Sequence, residues 1–319
     1  MTGTLVSLDD VRAAAGRIHG VVRRTPLVEV ADASRGVSFH LKCENVQPTG
    51  SFKLRGAANM LMQLPPEARA AGVIAYSSGN HGQAVAYAAR LMGIPAVIVM
   101  PEAAVRVKVD AVRQLGAEVI FAGRTSQDRQ VRAEAEAATR GLAIVPPFDH
   151  PWIVAGAGTT GLEILDQQPG VSAVYVPMGG GGQVAGVAAA VKGLRPEVRV
   201  IGVEPAGAAR MSASRAAGHP VTLPSTASIA DGLLTLRPGD VTFAHVAVFV
   251  DEVVTVDDRE IAGAVEWLFR VAKLVAEPSG AATTAALLAS GARTAPGAVA
   301  ILSGGNVSPQ DFARYVGGG

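Results

Sequence analysis

The sequence predicts an α/β protein made of two doubly wound domains with parallel sheets, and three observations point there. Apolar runs of four or five residues, such as Ala96-Val97-Ile98-Val99-Met100, alternate with amphipathic helical patterns, as strands buried on both faces require. Glycine or proline marks each junction: Gly93, Pro95, Pro101, Gly116, Gly141, Pro146 and Pro147. The 319 residues are too many for one small core.

Taken in order, Leu8, Val11, Ala14, Ala15 and Ile18 follow helical spacing behind Ser7, a good N-cap, so residues 8–20 predict a helix. Thr25-Pro26-Leu27 leads into short extended pieces, and Phe39-His40-Leu41-Lys42 reads as a strand. The stretch Gly50-Ser51-Phe52-Lys53-Leu54-Arg55-Gly56 then opens a helix reaching Leu64, and Pro65-Pro66 breaks the chain at a domain seam. Strands follow at 73–76, 96–100, 118–121 and 143–145, separated by helices at 83–92, 105–115 and 126–140. Residues 66–149 are therefore expected to form a small substrate-gripping domain. Residues 1–65 and 150–319 are expected to form a large cofactor-binding domain, with helices at 158–165 and 184–192 and strands at 174–176 and 198–203. No repeat, low-complexity tract or charge run interrupts it.

Three stretches carry chemistry. A lysine amine becomes a nucleophile when a partly apolar site lowers its pKa, and an aldehyde cofactor captures such an amine as a Schiff base. Lys53, held between Phe52, small residues and two glycines, is the candidate for that amine. Met178-Gly179-Gly180-Gly181-Gly182-Gln183 follows an apolar run and precedes a helical pattern. Four consecutive glycines let backbone N–H groups converge on one phosphate at a helix N-terminus. No Gly-Lys-Ser/Thr follows and the dinucleotide spacing is absent, so neither nucleotide fingerprint applies. Tyr76-Ser77-Ser78-Gly79-Asn80-His81-Gly82 joins a strand to a helix with hydroxyls and amides at the turn, a natural carboxylate cradle.

With Ser303-Gly304-Gly305-Asn306, these motifs resemble the fold-type II pyridoxal-phosphate enzymes, of tryptophan synthase β-like architecture, and within them the serine/threonine dehydratase and serine racemase family. The resemblance covers the chain from about Leu8 to Asn306. It implies that Lys53 holds pyridoxal 5'-phosphate beside Phe52, and that Gly179, Gly180, Gly181, Gly182 and Gln183 hold the phosphate. It also implies that Asn80 bonds the phenolic oxygen and Ser303 partners the pyridine nitrogen. A neutral hydroxyl there disfavours transamination and leaves β-elimination open. Ser77, Ser78, Gly79, Asn80 and His81 would grip the substrate carboxylate. Ser78 would face Cα opposite Lys53, the arrangement that racemisation needs, and His81 would be structural rather than a proton carrier. Arg129 aligns with an arginine at the mouth of racemase-type sites, or is a solvated helix residue. Asp231 falls on a motif bordering the substrate pocket. Glu277 either caps the helix after it or contacts the cofactor.

The expected activity is β-elimination of L-threonine or L-serine to a 2-oxo acid and ammonia. The alternatives are serine racemisation, a dehydratase for hydroxyaspartate or hydroxyectoine, or a non-catalytic binding protein on the same fold. Metal-activated members bind a cation through a glutamate, a backbone carbonyl and an acidic residue six positions after the glutamate. Here those positions are Glu204, Ala208 and Arg210, so no metal is expected. Arg210 either takes the cation's place beside Glu204 or points to solvent.

Bulk properties agree with a small-molecule enzyme. Lys+Arg (28) nearly balances Asp+Glu (27), so no field recruits nucleic acid or a membrane surface. A single cysteine, Cys43, excludes an internal disulfide and fits a cytoplasmic protein. No signal peptide or membrane span is expected, nor a C-terminal sensing module, and a homodimer or homotetramer is.

Overall fold

Valine, isoleucine and alanine dominate the strands, which form two sheets. The computed structural model describes residues 5–77, 79–104, 106–291 and 295–317. In chain order the strands are β1 (Leu27–Asp32), β2 (Val37–Cys43), β3 (Val73–Tyr76), β4 (Ala96–Met100) and β5 (Glu118–Phe121). Then come β6 (Ala143–Ile144), β7 (Ala173–Pro177), β8 (Arg199–Pro205), β9 (Glu252–Val256) and β10 (Ala298–Leu302). The smaller sheet runs β5-β4-β3-β6, all parallel; the larger runs β1-β2-β10-β7-β8-β9.

Both sheets are covered on both faces, because alternate residues of each strand enter different cores. In the smaller sheet Val73, Ala75, Ile98 and Met100 pack with the helices Lys53–Gln63 and Asn80–Met92. Ile74, Val97 and Val99 pack instead with Ala133 and Ala137 of the helix Ser126–Arg140. In the larger sheet Phe39, Ala300 and Leu302 meet the helices Asp258–Arg270 and Pro278–Ser290. Val174, Val200 and Ile301 meet the helix Gly182–Leu194.

The larger sheet departs from the parallel expectation at one edge. β1 pairs antiparallel with β2, from Leu27 opposite Lys42 to Asp32 opposite Val37. The connection is only the turn 33–36, far shorter than a parallel crossover needs, and Gly36 with φ +64 lets it close. β9 is an edge strand that the sequence pattern did not mark. The helix expected at 158–165 spans Pro151–Gln167. Its glycines weaken the helical signal, yet they are what lets it pack. A Cβ on Gly156 would lie 2.5 Å from the Arg55 carbonyl oxygen, and one on Gly158 would lie 2.7 Å from that of Gly186. The helix expected at 105–115 runs Arg106–Gln114, with Val105 outside the described residues.

β3, β7 and β10 end in the Ser77, Met178 and Ser303 turns, so the motifs lie at carboxyl ends of parallel strands. That is where open α/β sheets bind ligands.

Candidate active site

The lysine turn is sewn to the segment after β10. Phe52 N–H donates to the Ser303 carbonyl (3.0 Å), Gly305 N–H to the Gly50 carbonyl (2.9 Å), and Asn306 Nδ2 to the Thr49 carbonyl (2.8 Å). Gly50 has φ +71, and a Cβ on it would strike the Asn306 side chain. Lys53 is the first residue of its helix, and its amine donates to the Pro147 carbonyl (2.7 Å). Burial lowers that amine to about 8, against an upward pull from Glu277.

In the sequence Pro147, together with Pro146, marks only a break in the chain. In the structure it and Phe148 join the lysine to the glycine loop. A Cβ on Gly180 would sit 2.3 Å from the Phe148 ring, and one on Gly182 would sit 3.0 Å from Phe148 Cβ. The Met178 and Gly179 carbonyls accept from the Arg210 guanidinium, with Nε at 3.0 Å from the Gly179 oxygen. The Gly180 carbonyl accepts from Thr242 Oγ1 (2.6 Å) and Gly239 N–H (3.2 Å). In a trans peptide the N–H points opposite the carbonyl, so the N–H groups of Gly179, Gly180 and Gly181 face away from these partners. Gln183, buried in the first turn of the following helix, has both side-chain amide atoms buried without a protein partner.

Asn80 opens the helix Asn80–Met92 and ties the small sheet to the large one. Its Nδ2 donates to Glu277 Oε1 (2.6 Å), and its Oδ1 accepts from Asn306 Nδ2 (2.7 Å). Glu277 stands at the N-cap of its helix, but its side chain makes no cap bond and accepts from Asn80 instead, which corrects the side-chain cap reading. Burial raises its carboxyl to about 8, although the Asn80 hydrogen bond opposes the rise. His81 is buried against the Val145 carbonyl (2.9 Å), and burial followed by the Lys53 charge lowers it to about 3. It is neutral at physiological pH, in keeping with a structural role. Gly79 N–H donates to Ser77 Oγ (3.3 Å), and Gly82 is needed because a Cβ there would lie 2.2 Å from the Ser77 carbonyl oxygen. Ser78 lies outside the described residues.

Of the outlying candidates, Asp231 is exposed, but it begins a turn whose Gly232 carbonyl would be 3.2 Å from a Cβ on Gly179. Gly232 N–H donates to Ser279 Oγ (2.9 Å), which fixes that turn beside the glycine loop. Arg129 is not the solvated residue of one reading. It is half-buried, its Nε is buried without a partner, and Nη2 donates to Ser126 Oγ (2.9 Å). Arg210 is fully buried, which overturns its solvent reading. Cys43 is a buried thiol pushed up to about 12 by burial, the state of an inert core residue.

A family described as "Pyridoxal-phosphate dependent enzyme" matches residues 18–304. The chain belongs to this family. Among curated relatives it is 42% identical over 309 residues to an L-threonine ammonia-lyase of Geobacter sulfurreducens, covering 96% of this chain and 77% of that protein. It is 39% identical over 317 residues to an L-threo-3-hydroxyaspartate ammonia-lyase of a Pseudomonas species, covering 98% and 99%. Among solved structures, maize serine racemase superposes with a TM-score of 0.93 at 37% identity, covering 98% of this chain and 97% of that one. The family cofactor fits the residues present: a buried amine of lowered pKa, a glycine loop with no room for side chains, and an unpartnered buried amide at Gln183.

Proposed function

We propose that this chain is a pyridoxal-phosphate-dependent ammonia-lyase that removes the β-hydroxyl of L-threonine or L-serine. The observation that carries the reading is the Lys53 amine, lowered to about 8 and joined through Pro147 and Phe148 to a loop whose carbonyls are turned away. Lys53 would hold the cofactor's aldehyde carbon, and Gly179–Gly182 with Gln183 its phosphate. Asn80, Ser303 and Phe52 would hold its ring. When bound, the cofactor supplies an electron sink that acidifies the Cα proton of an amino acid. Lys53, freed when the substrate amine displaces it and with its pKa near ambient pH, would take that proton at Nζ. The turn of Ser77, Gly79, Asn80 and His81 would present N–H groups at a helix N-terminus to the substrate carboxylate, and Ser78, outside the described residues, would join them. His81, lowered to about 3 by burial and bonded to the Val145 carbonyl, is too weak a base to carry the proton. The β-hydroxyl would leave Cβ with a proton, as water, the Cα proton having gone to Lys53, and the released enamine would hydrolyse to a 2-oxo acid and ammonia.

The same reading assigns residues 66–149 to gripping substrate and the rest of the chain to holding the cofactor. It takes a small amino acid as the partner, rather than nucleic acid or a membrane. Among the described residues no helix is long and apolar enough to cross a membrane. A cytoplasmic homodimer or homotetramer belongs to the same proposal.

A second reading takes hydroxyaspartate as substrate. What favours it is Arg129, half-buried with an unpartnered Nε, which suits a second carboxylate, together with the hydroxyaspartate lyase among the relatives. Incubation with L-threonine, L-serine and threo-3-hydroxyaspartate, with 2-oxo acid and ammonia measured, separates the two. Release from hydroxyaspartate alone selects the second, and release from none of the three refutes both.

A further inference from the structure

Among the described residues two arginines are wholly buried, and they are bonded differently. Arg55 forks onto carboxylates: Nε and Nη2 lie 2.7 and 2.8 Å from the two oxygens of Glu44, and Nη1 lies 2.7 Å from Glu163. Arg210 has a buried carboxylate within reach, Glu204, but its Nη1 stands 3.9 Å from it. The Glu204 oxygens are spent on the N–H groups of Met211 (3.0 Å) and Ser212 (2.8 Å), at the start of the helix Arg210–Ala217. The guanidinium donates to peptide carbonyls instead: Nη1 to Ala208, Nη2 to Met178 and Gly179, and Nε to Gly179 at 3.0 Å. An arginine whose role was an ion pair would fork onto the carboxylate. This one forks onto the back of the glycine loop.

We propose that Arg210 is the positioning residue of the phosphate cradle. By pinning the Met178 and Gly179 carbonyls, it aims the N–H groups of Gly179 and Gly180 at the anion and polarises them toward it. The inference rests on the cofactor reading above. Each pinned carbonyl shares a peptide plane with the next residue's N–H, so a positive charge on the oxygen side strengthens the donor on the other. The third peptide, Gly180–Gly181, is held by Thr242, which fixes direction without adding charge. Burial lowers Arg210 only to about 10, so it is charged at neutral pH. A buried cation whose nearest carboxylate stands 3.9 Å away and is engaged by two backbone N–H groups is only partly compensated, and a phosphate one peptide layer away supplies the rest. Glu204, the Ala208 carbonyl and the guanidinium thus make a closed unit in which the cation is covalently part of the chain.

The test uses the full chain stripped of cofactor and measures three affinities: inorganic phosphate, pyridoxal phosphate and pyridoxal, which lacks the phosphate. Arg210→Met should weaken phosphate and pyridoxal phosphate about tenfold or more and leave pyridoxal within about twofold. Unchanged phosphate affinity, or parallel loss of phosphate and pyridoxal, would overturn the proposal, the latter by showing a merely structural role. If that variant does not fold, Arg210→Gln removes the charge while keeping a donor for the Gly179 carbonyl, and its three affinities support or overturn the proposal in the same way. Wild-type chain that binds pyridoxal phosphate but shows no phosphate dependence would overturn this inference alone. Wild-type chain that binds neither pyridoxal phosphate nor phosphate would overturn the cofactor reading with it.

Discussion

The turns that follow β7 and β3 are built on different plans. In the glycine loop after β7, the first three carbonyls are each held by a buried side chain, and added Cβ atoms would meet the Phe148 ring, backbone or the Thr242 side chain. In the Ser77–Gly82 turn after β3, Ser77 and Gly79 are half-buried and joined by one 3.3 Å bond, and a Cβ on Gly79 would meet nothing within 4 Å. Among the described residues its far end is the part fixed by side-chain bonds, through Asn80 and His81. A cradle for a resident group has to be preorganised once. A turn that takes and releases substrate at every cycle has to leave room, and space around Gly79 is what the contrast consists of.

The largest effect is expected at Lys53, where the two plans meet. Lys53→Ala should lower turnover at least ~10³-fold while the fold survives. Borohydride reduction of wild-type enzyme followed by peptide mapping should place the pyridoxyl adduct on Lys53, and an adduct on another lysine would refute the assignment.

Next in size is Gly180→Ala. Its methyl group must displace the Phe148 ring, which should cost about 1–3 kcal/mol of stability and weaken cofactor binding, as read by chemical denaturation and cofactor titration. A fully stable, fully loaded alanine variant would show the cradle to be as loose as the other turn.

A smaller effect is set by His81. Its folded-state pKa is depressed from 6.5 to about 3, so the unfolded chain binds the proton first as pH falls. Stability is complete above about 6.5 and is lost progressively below it, at no more than ~1.4 kcal/mol per pH unit. His150 and His245 are lowered too and add to the slope, so the measurement is the difference between wild type and His81→Gln from pH 7 to 5. Equal slopes would mean that His81 is charged in the fold.

Gly79→Ala should change stability by less than ~0.5 kcal/mol, since its methyl group enters open space, and any loss should fall on substrate KM. The smallest expected effect is none: EDTA should leave melting temperature and turnover unchanged, because Arg210 already fills the gap between Glu204 and the Ala208 carbonyl. Activity that fell with EDTA and returned with magnesium would mean that other ligands hold a cation.

Much of this was legible because turns at strand ends announce themselves. The glycine loop, the Ser77–Gly82 turn and Ser303 are each a cluster of small or hydroxyl residues behind an apolar run, and all three stand at strand carboxyl ends, while the lysine motif is marked by its own glycines at the start of a helix. What the residues could not reveal was the bonding through backbone carbonyls. Pro147 accepting the lysine and Arg210 seizing Met178 and Gly179 leave no trace in side-chain patterns, because every residue carries a carbonyl. Glu277 was readable as a helix cap from its place before Pro278, and only the fold shows its carboxylate turned to Asn80 instead. β1 and β9 are edge strands, half exposed, and lack the continuous apolar run that marked the interior ones.

The close seam between the helices Pro151–Gln167 and Gly182–Leu194 also restricts how this sequence can drift. A Cβ on Gly186 would lie 2.1 Å from the Val154 carbonyl oxygen and 2.5 Å from the Gly158 nitrogen, so backbone touches backbone with no side chain between to absorb a change. Even the smallest substitution there must slide a whole helix, and that helix begins at Gly182, in the glycine loop. Gly158 and Gly186, outside the candidate site, are therefore as closed to replacement as the glycines of the loop. A mutational scan that counted only ligand contacts would mistake them for permissive interior positions.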